Sequence, residues 1–222
     1  MAKARQAQST NNGRTAKFTC LDFEGEYFRA VGRPERTGTH VIIGPSKNGK
    51  TTFAMMYAKY LSSFERVAYD SVEEGLCKTI QMAMDRVNMW EAGSRVVLYD
   101  KIEIEDLKTK LNQHKSPNII FIDSIQFADM TFKDYKSLKR EYPNKLFVYV
   151  SHVEGGKPEG KVAQRIFKDA SVVWHIEGFR AIPQSRFVED GVTQDYIEIW
   201  KDGADRYWGK IQNEQCKRQK AI

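Results

Sequence analysis

The 222-residue sequence has no run of 18 apolar residues, so it offers no helix able to span a membrane. Its first 17 residues, MAKARQAQSTNNGRTAK, lack the apolar stretch of a secretory signal. Cysteine is scarce. Cys20, Cys77 and Cys216 are odd in number and far apart, which excludes a clustered metal-ligand set and suggests no disulfide framework. A reducing, cytoplasmic setting is the simplest expectation. Acids are missing from residues 1–17, which carry Lys3, Arg5, Arg14 and Lys17, and nearly missing from 210–222, where Glu214 stands against Lys210, Lys217, Arg218 and Lys220. The formal charge of +6 therefore sits in the ends, and the body between them carries −1. Basic ends can gather on a nucleic-acid backbone or simply be solvated, and the polar stretch 6–15 is expected to be disordered. There is no internal repeat. The expected division is a basic tail over 1–17, one domain over 18–209 and a basic tail over 210–222.

What is present is concentrated in residues 44–51, GPSKNGKT, a complete G-x-x-x-x-G-K-[ST] phosphate-binding loop. It follows the apolar run Thr39–Ile43 and precedes a helical pattern from Thr52 to Leu61, the strand–loop–helix setting in which the motif has a mechanism. Gly44 and Gly49 let the backbone turn its N–H groups inward, and the positive end of the following helix faces the anion. Gly44, Pro45, Ser46, Lys47, Asn48, Gly49, Lys50, Thr51 and Thr52 are therefore expected to hold ATP. Lys50 is expected to reach the β- and γ-phosphates, and Thr51 to coordinate Mg²⁺.

Along the rest of the chain, strands alternate with helices. Phe18 to Val31 alternates aromatic and polar residues around Gly25 and reads as short strands or a packing arm. Strands are expected at Arg66–Asp70, Arg95–Tyr99, Asn118–Asp123, Leu146–His152 and Ala170–Ile176, with helices at Gly75–Met89, Ile104–Gln113 and Phe132–Glu141. Ile182–Phe187 and Asp195–Trp200 read as a late antiparallel hairpin. The fold class is α/β, a mostly parallel central sheet flanked by helices.

Asp123 closes an apolar strand about 70 residues past the loop, where a carboxylate can hold Mg²⁺. Glu73 and Glu74 follow the neighbouring strand, where either can polarise a water or simply favour a helix N-terminus. His152, beside Ser151, ends another strand and can sense a γ-phosphate. The glycine-rich segment Val153–Lys161 reads as an open, mobile loop with spaced cations, and Lys157, Lys161 and Arg165 are candidates for contact with single-stranded DNA. Arg180 and Arg186 are candidates to enter a neighbouring subunit's site.

These motifs, in their order, resemble the RecA-like ATPases, with the ATPase core of RadA nearest and DnaB-type helicases next. GPSKNGKTT, YDSVEEG, IDSIQ, VSHVEGGKPEG and QSRF carry the resemblance, over about residues 20–202. It implies Glu73 as the catalytic carboxylate, His152 as the sensor and Arg186 as an arginine acting in trans. It also implies a ring or filament of identical subunits acting in DNA recombination, repair or replication, with a protein partner from such a system; the size and tails suggest a phage or mobile element. Where the related motif has Lys-Asn-Arg-Phe-Gly, this chain has Gln184 and, after Phe187, Val188. The alternative is a regulatory RecA-fold ATPase with protein partners and no DNA, which the body charge of −1 favours. A nucleoside monophosphate kinase would leave Glu73 and IDSIQ without a role.

Overall fold

The computed structural model describes residues 9–219, with side chains to 211. Its centre is a nine-stranded sheet in the order β3-β2-β4-β5-β1-β7-β8-β9, with β6 paired to the end of β5. The strands are β1 (Gly38–Gly44), β2 (Val67–Ser71), β3 (Val96–Tyr99), β4 (Ile119–Asp123), β5 (Leu146–Glu154), β6 (Lys157–Pro158), β7 (Val172–Glu177), β8 (Arg180–Ser185) and β9 (Ile197–Glu198). From β3 to β7 every pairing is parallel, and β8 and β9 add antiparallel at one edge.

The helices are α1 (Thr10–Thr15), α2 (Gly25–Val31), α3 (Lys50–Leu61), α4 (Lys78–Arg86), α5 (Ile104–Leu111), α6 (Phe132–Glu141), α7 (Lys161–Asp169) and α8 (Lys201–Gln219). They cover both faces of the sheet, which explains why β4 reads as an unbroken apolar run. Ile119, Phe121, Val148 and Trp174 pack on one side with Tyr57 of α3, and Ile120, Ile122, Tyr149 and Val173 pack on the other with Tyr135 of α6. Each such buried side chain stabilises by about 1.5–3 kcal/mol relative to exposure. Thr131 caps α6 through a reciprocal capping box with Asp134.

Register sets the site. Gly44 of β1 lies beside His152 of β5, Asp123 of β4 beside Val150 of β5, and Ser71 of β2 beside Asp123. The carboxyl ends of four adjacent strands thus converge on one rim, the edge where ligands bind in open α/β sheets.

Four expectations need correction. Gly25–Val31 is helical rather than extended, because Phe23, Tyr27, Ala30 and Val31 recur at three- and four-residue spacing and all are buried. The late antiparallel pairing is present as expected, between β8 and β9, and β8 also pairs antiparallel with β7. Val153–Lys161 is no open loop. Val153 pairs with Pro158 and Glu154 with Lys157, around a tight turn at Gly155 and Gly156 with φ +56° and +76°. Positive φ at both turn residues is what a two-residue hairpin demands, so the glycines that suggested mobility close a turn instead. Residues 210–219 continue α8, since no proline interrupts 201–219 and net charge does not by itself stop a helix. Part of the stretch expected to be disordered is also helical: α1 is capped by the Ser9 side chain, which accepts from the Asn12 N–H, and buries no residue, while residues 1–8 lie outside the described residues. Among the described residues no helix is long and apolar enough to cross a membrane.

Candidate functional site

The loop between β1 and α3 is shaped by its glycines. A Cβ on Gly44 would lie 2.3 Å from the Ile176 carbonyl oxygen, so only glycine fits there. Gly49 adopts φ +96° and caps α3 without a side-chain acceptor, which leaves the first N–H groups of the helix open toward an anion. Lys50, 7 % exposed, donates to the Pro45 carbonyl oxygen (3.1 Å) and faces His152 Nδ1 at 3.4 Å. Burial holds its ammonium below the usual range, and Asp123 and Glu73 pull against that shift. Thr51 and Thr52 follow, half-buried, on the cavity wall.

Asp123 is buried and accepts a hydrogen bond from the Tyr69 hydroxyl. Burial pushes its carboxyl up to about 6; the Tyr69 bond lowers it, Glu73 raises it and Lys50 lowers it. Glu73 is tied to the same strand end, its N–H donating to the Asp123 carbonyl oxygen (3.0 Å). Its Oε2 accepts from His152 Nε2 (2.8 Å) and Ser124 Oγ (3.1 Å). With Nε2 donating, His152 Nδ1 is the acceptor that faces the Lys50 ammonium. Glu74 also lines the cavity, but it is exposed and accepts from Thr79 Oγ1 at the start of α4, with no contact to His152 or Asp123 among its hydrogen bonds. Lys50, Glu73, Asp123 and His152 line one cavity of about 1290 Å³.

The donor set fits a nucleotide with a hard cation. Among the described residues no group of three or more His, Cys, Asp or Glu could hold a metal by itself. A hydroxyl at Thr51 and a carboxylate at Asp123 instead suit Mg²⁺, which keeps water and phosphate oxygens in most of its positions.

No model of a known protein family matches the sequence, and no curated protein matches it. Solved structures do. FlaH, a flagellar accessory protein of Methanocaldococcus jannaschii, superposes with a TM-score of 0.57 at 14% identity, over 82% of this chain and 92% of its own. A KaiC-like protein of Pyrococcus horikoshii OT3 gives 0.55 at 13% identity over 74% and 86%, and the RadB recombinase 0.51 at 20% over 80% and 94%. The fold shared with these proteins is the RecA-like fold.

Within this RecA-like core, the other expected residues fall into two places. Lys157 is exposed on β6, and Lys161 is the first residue of α7. Arg165, also on α7, lies with its guanidinium 4.9 Å from the Phe132 ring centre, so part of its capacity is spent within the chain. Glu154 and Glu159 stand in the same segment and offset Lys157 and Lys161. Arg186 is not brought to the phosphate loop. Because β8 runs antiparallel, Arg186 emerges at the amino ends of the parallel strands, its N–H on Ser171 and its Nη2 on the Lys168 carbonyl oxygen (3.0 Å each). Arg180, at the other end of β8, lies 4.3 Å from the Tyr196 ring centre and 5.2 Å from that of Trp208.

Two residues that sequence reasoning passed over join this rim. Tyr69 is the partner of Asp123. Gln126, in IDSIQ, donates to Ser151 Oγ (2.8 Å) and the Glu159 carbonyl oxygen (2.9 Å), and accepts from the His152 N–H (3.3 Å). Its place three residues past the strand-end Asp was the available signal; its partners, 25 to 33 residues away, were not.

Proposed function

We propose that this protein binds and hydrolyses ATP with Mg²⁺ and works as a motor or switch on single-stranded DNA, as a homo-oligomer. The observation that supports it most is the chain of contacts Lys50–His152–Glu73, which lies against an uncapped helix N-terminus and is joined through Gln126 to the β5–β6 hairpin.

In this reading Lys50 exchanges Pro45 and His152 for phosphate oxygens, and Glu73 orients and accepts a proton from the attacking water. Mg²⁺ held by Thr51 and Asp123 would neutralise developing charge on the phosphates. When Lys50 turns to the phosphate, His152 loses one of its two ionic neighbours. Gln126 is bonded to the His152 N–H, Ser151 and Glu159, so a shift of the His152 backbone reaches the hairpin that carries Lys157. Arg186 serves a neighbouring subunit, since β8 directs it away from its own phosphate loop.

The name of the RadB recombinase favours recombination, and with it DNA, among the roles of this reading. A second reading, a regulatory ATPase with protein partners and no DNA, is favoured by the balanced charges of Glu154, Lys157, Glu159 and Lys161. The deciding experiment measures ATP turnover alone and with single-stranded DNA, duplex DNA and RNA. Stimulation by single strands supports the first reading. A rate indifferent to all three, with ATP still hydrolysed, supports the second.

A further inference from the structure

The β7–β8 turn is made by Gly178 and Phe179, with φ +51° and +60°. Both positions of such a turn require positive φ, which glycine and asparagine accept and a bulky aromatic does not. A residue held in that region against its preference points to a use for its side chain. The Phe179 ring lies between two glycines that leave it room. A Cβ on Gly49 of the phosphate loop would come within 3.4 Å of Phe179 Cδ1, and one on Gly203 of α8 within 2.7 Å of Phe179 Cδ2. Trp200 stands edge-on to Phe179, with ring centres 5.0 Å apart, and is 48% exposed. Phe179, Ile199 and Trp200 line the same cavity as Lys50 and Asp123.

The orientation of a nucleotide follows from its charged end. A γ-phosphate belongs beside Lys50, Glu73, Asp123 and His152. The base must then lie away from them, and across Gly49 the wall is aromatic and apolar. Two polar side chains near that wall are already used: Asn48 Oδ1 accepts from the Gly178 N–H (2.9 Å) and its Nδ2 donates to the Ser46 carbonyl oxygen (3.0 Å), and the Arg206 guanidinium lies over the Trp200 ring, 5.7 Å from its centre.

The geometry points to Phe179 and Trp200 as a platform that holds the nucleotide base by stacking and does not read its hydrogen-bonding edge. The ligand class is purine nucleoside triphosphates in general, adenine and guanine alike, with pyrimidines weaker for their smaller stacking face. This rests on the nucleotide reading of the phosphate loop.

The test is calorimetric titration of ATP, GTP, CTP and inorganic tripolyphosphate, each with Mg²⁺, into wild type, Phe179→Gly and Trp200→Ala. Glycine suits the backbone at position 179, and Trp200 is exposed enough for its loss not to unfold the chain. ATP and GTP should bind wild type within about threefold of each other. Both variants should lose about tenfold or more for ATP and GTP alike, the usual worth of a stacked base, and nothing for tripolyphosphate, which has no base. Unchanged ATP affinity in both variants overturns the proposal and moves the base along α3, toward Met56 and Tyr60. Equal losses for tripolyphosphate overturn it too, because Phe179 would then only prop the phosphate loop. A hundredfold preference for ATP over GTP would show edge reading. If wild type binds neither ATP nor tripolyphosphate, the phosphate-loop reading falls and this one with it.

Discussion

His152 Nε2 lies 2.8 Å from Glu73 Oε2, although the two residues are 79 apart in sequence. The carboxylate proposed to activate water is thereby tied to the strand that leads into the β5–β6 hairpin. Separating the two roles is direct. Glu73→Gln should bind ATP and hydrolyse it about a hundredfold more slowly, the scale of a lost positioned base. His152→Ala should keep more basal turnover than Glu73→Gln but lose any stimulation by DNA. A dead Glu74→Gln beside an active Glu73→Gln would show that the wrong carboxylate has been chosen.

Lys50→Ala should abolish hydrolysis and weaken ATP binding, because its buried ammonium is the positive charge set against Asp123 and Glu73 in the cavity. Turnover near the wild-type rate would end the phosphate-loop reading.

Asp70 gives a pH test apart from catalysis. It is buried, accepts from the Ile102 N–H (3.2 Å), and burial pushes its carboxyl up to about 6, with that bond opposing and Asp100 and Asp123 adding to the rise. A carboxyl raised on folding favours the folded state when protonated. Its contribution is therefore full below pH ~4 and lost as pH rises through about 6. A rise of this size is worth on the order of 2–3 kcal/mol. Asp70→Asn keeps an acceptor for Ile102 and removes the charge. Denaturant melts should show it more stable than wild type at pH 8, with the gap narrowing toward pH 5. A constant gap across that range would sink the assignment.

The phosphate loop is legible in sequence because its demands are local. Gly44 leaves no room for a Cβ, Gly49 needs positive φ, and Lys50 opens a helix, so each appears in the motif. The parallel strands are legible because burial on both faces leaves an unbroken apolar run such as Ile119–Ile122. What stays hidden depends on distant partners. Tyr69 reads as one more strand aromatic until Asp123, 54 residues on, meets its hydroxyl. Gln126 reads as loop polarity until Ser151 and Glu159 fold onto it. Gly155 and Gly156 suggest a mobile loop because sequence shows that they permit positive φ, not that Val153 and Pro158 pair across them. Gly25–Val31 is misread because the aromatics before it alternate as in a strand, whereas its own buried residues fall at helical spacing.

Replacing Lys157, Lys161 and Arg165 together by Ala should weaken single-stranded DNA binding and flatten its salt dependence, each lost phosphate contact lowering the log–log slope by about 0.7. Arg165 should contribute least, since Phe132 already holds its guanidinium. Basal ATP turnover should survive. An unchanged slope, with binding lost only on deleting residues 1–17, would move the contact to the N-terminal segment.

Arg186→Ala asks about assembly as well as chemistry. Arg186 follows β8 at the amino ends of the parallel strands, while the phosphate loop lies at their carboxyl ends, so it has no route to its own site. Its Nη2 rests on the Lys168 carbonyl oxygen and the side chain is exposed, so the guanidinium retains donors for a partner. A guanidinium entering from a neighbour would stabilise charge on the transferring phosphoryl group, worth roughly a thousandfold or more in rate. The variant should bind ATP normally and hydrolyse it poorly. Mixing Arg186→Ala with Lys50→Ala should restore some turnover, because the intact arginine of one variant can serve the intact loop of the other. Wild-type rate should also rise faster than linearly with protein concentration. Normal turnover in Arg186→Ala, with specific activity flat down to monomeric concentrations, would make the arginine a prop for α7 and the site complete within one chain.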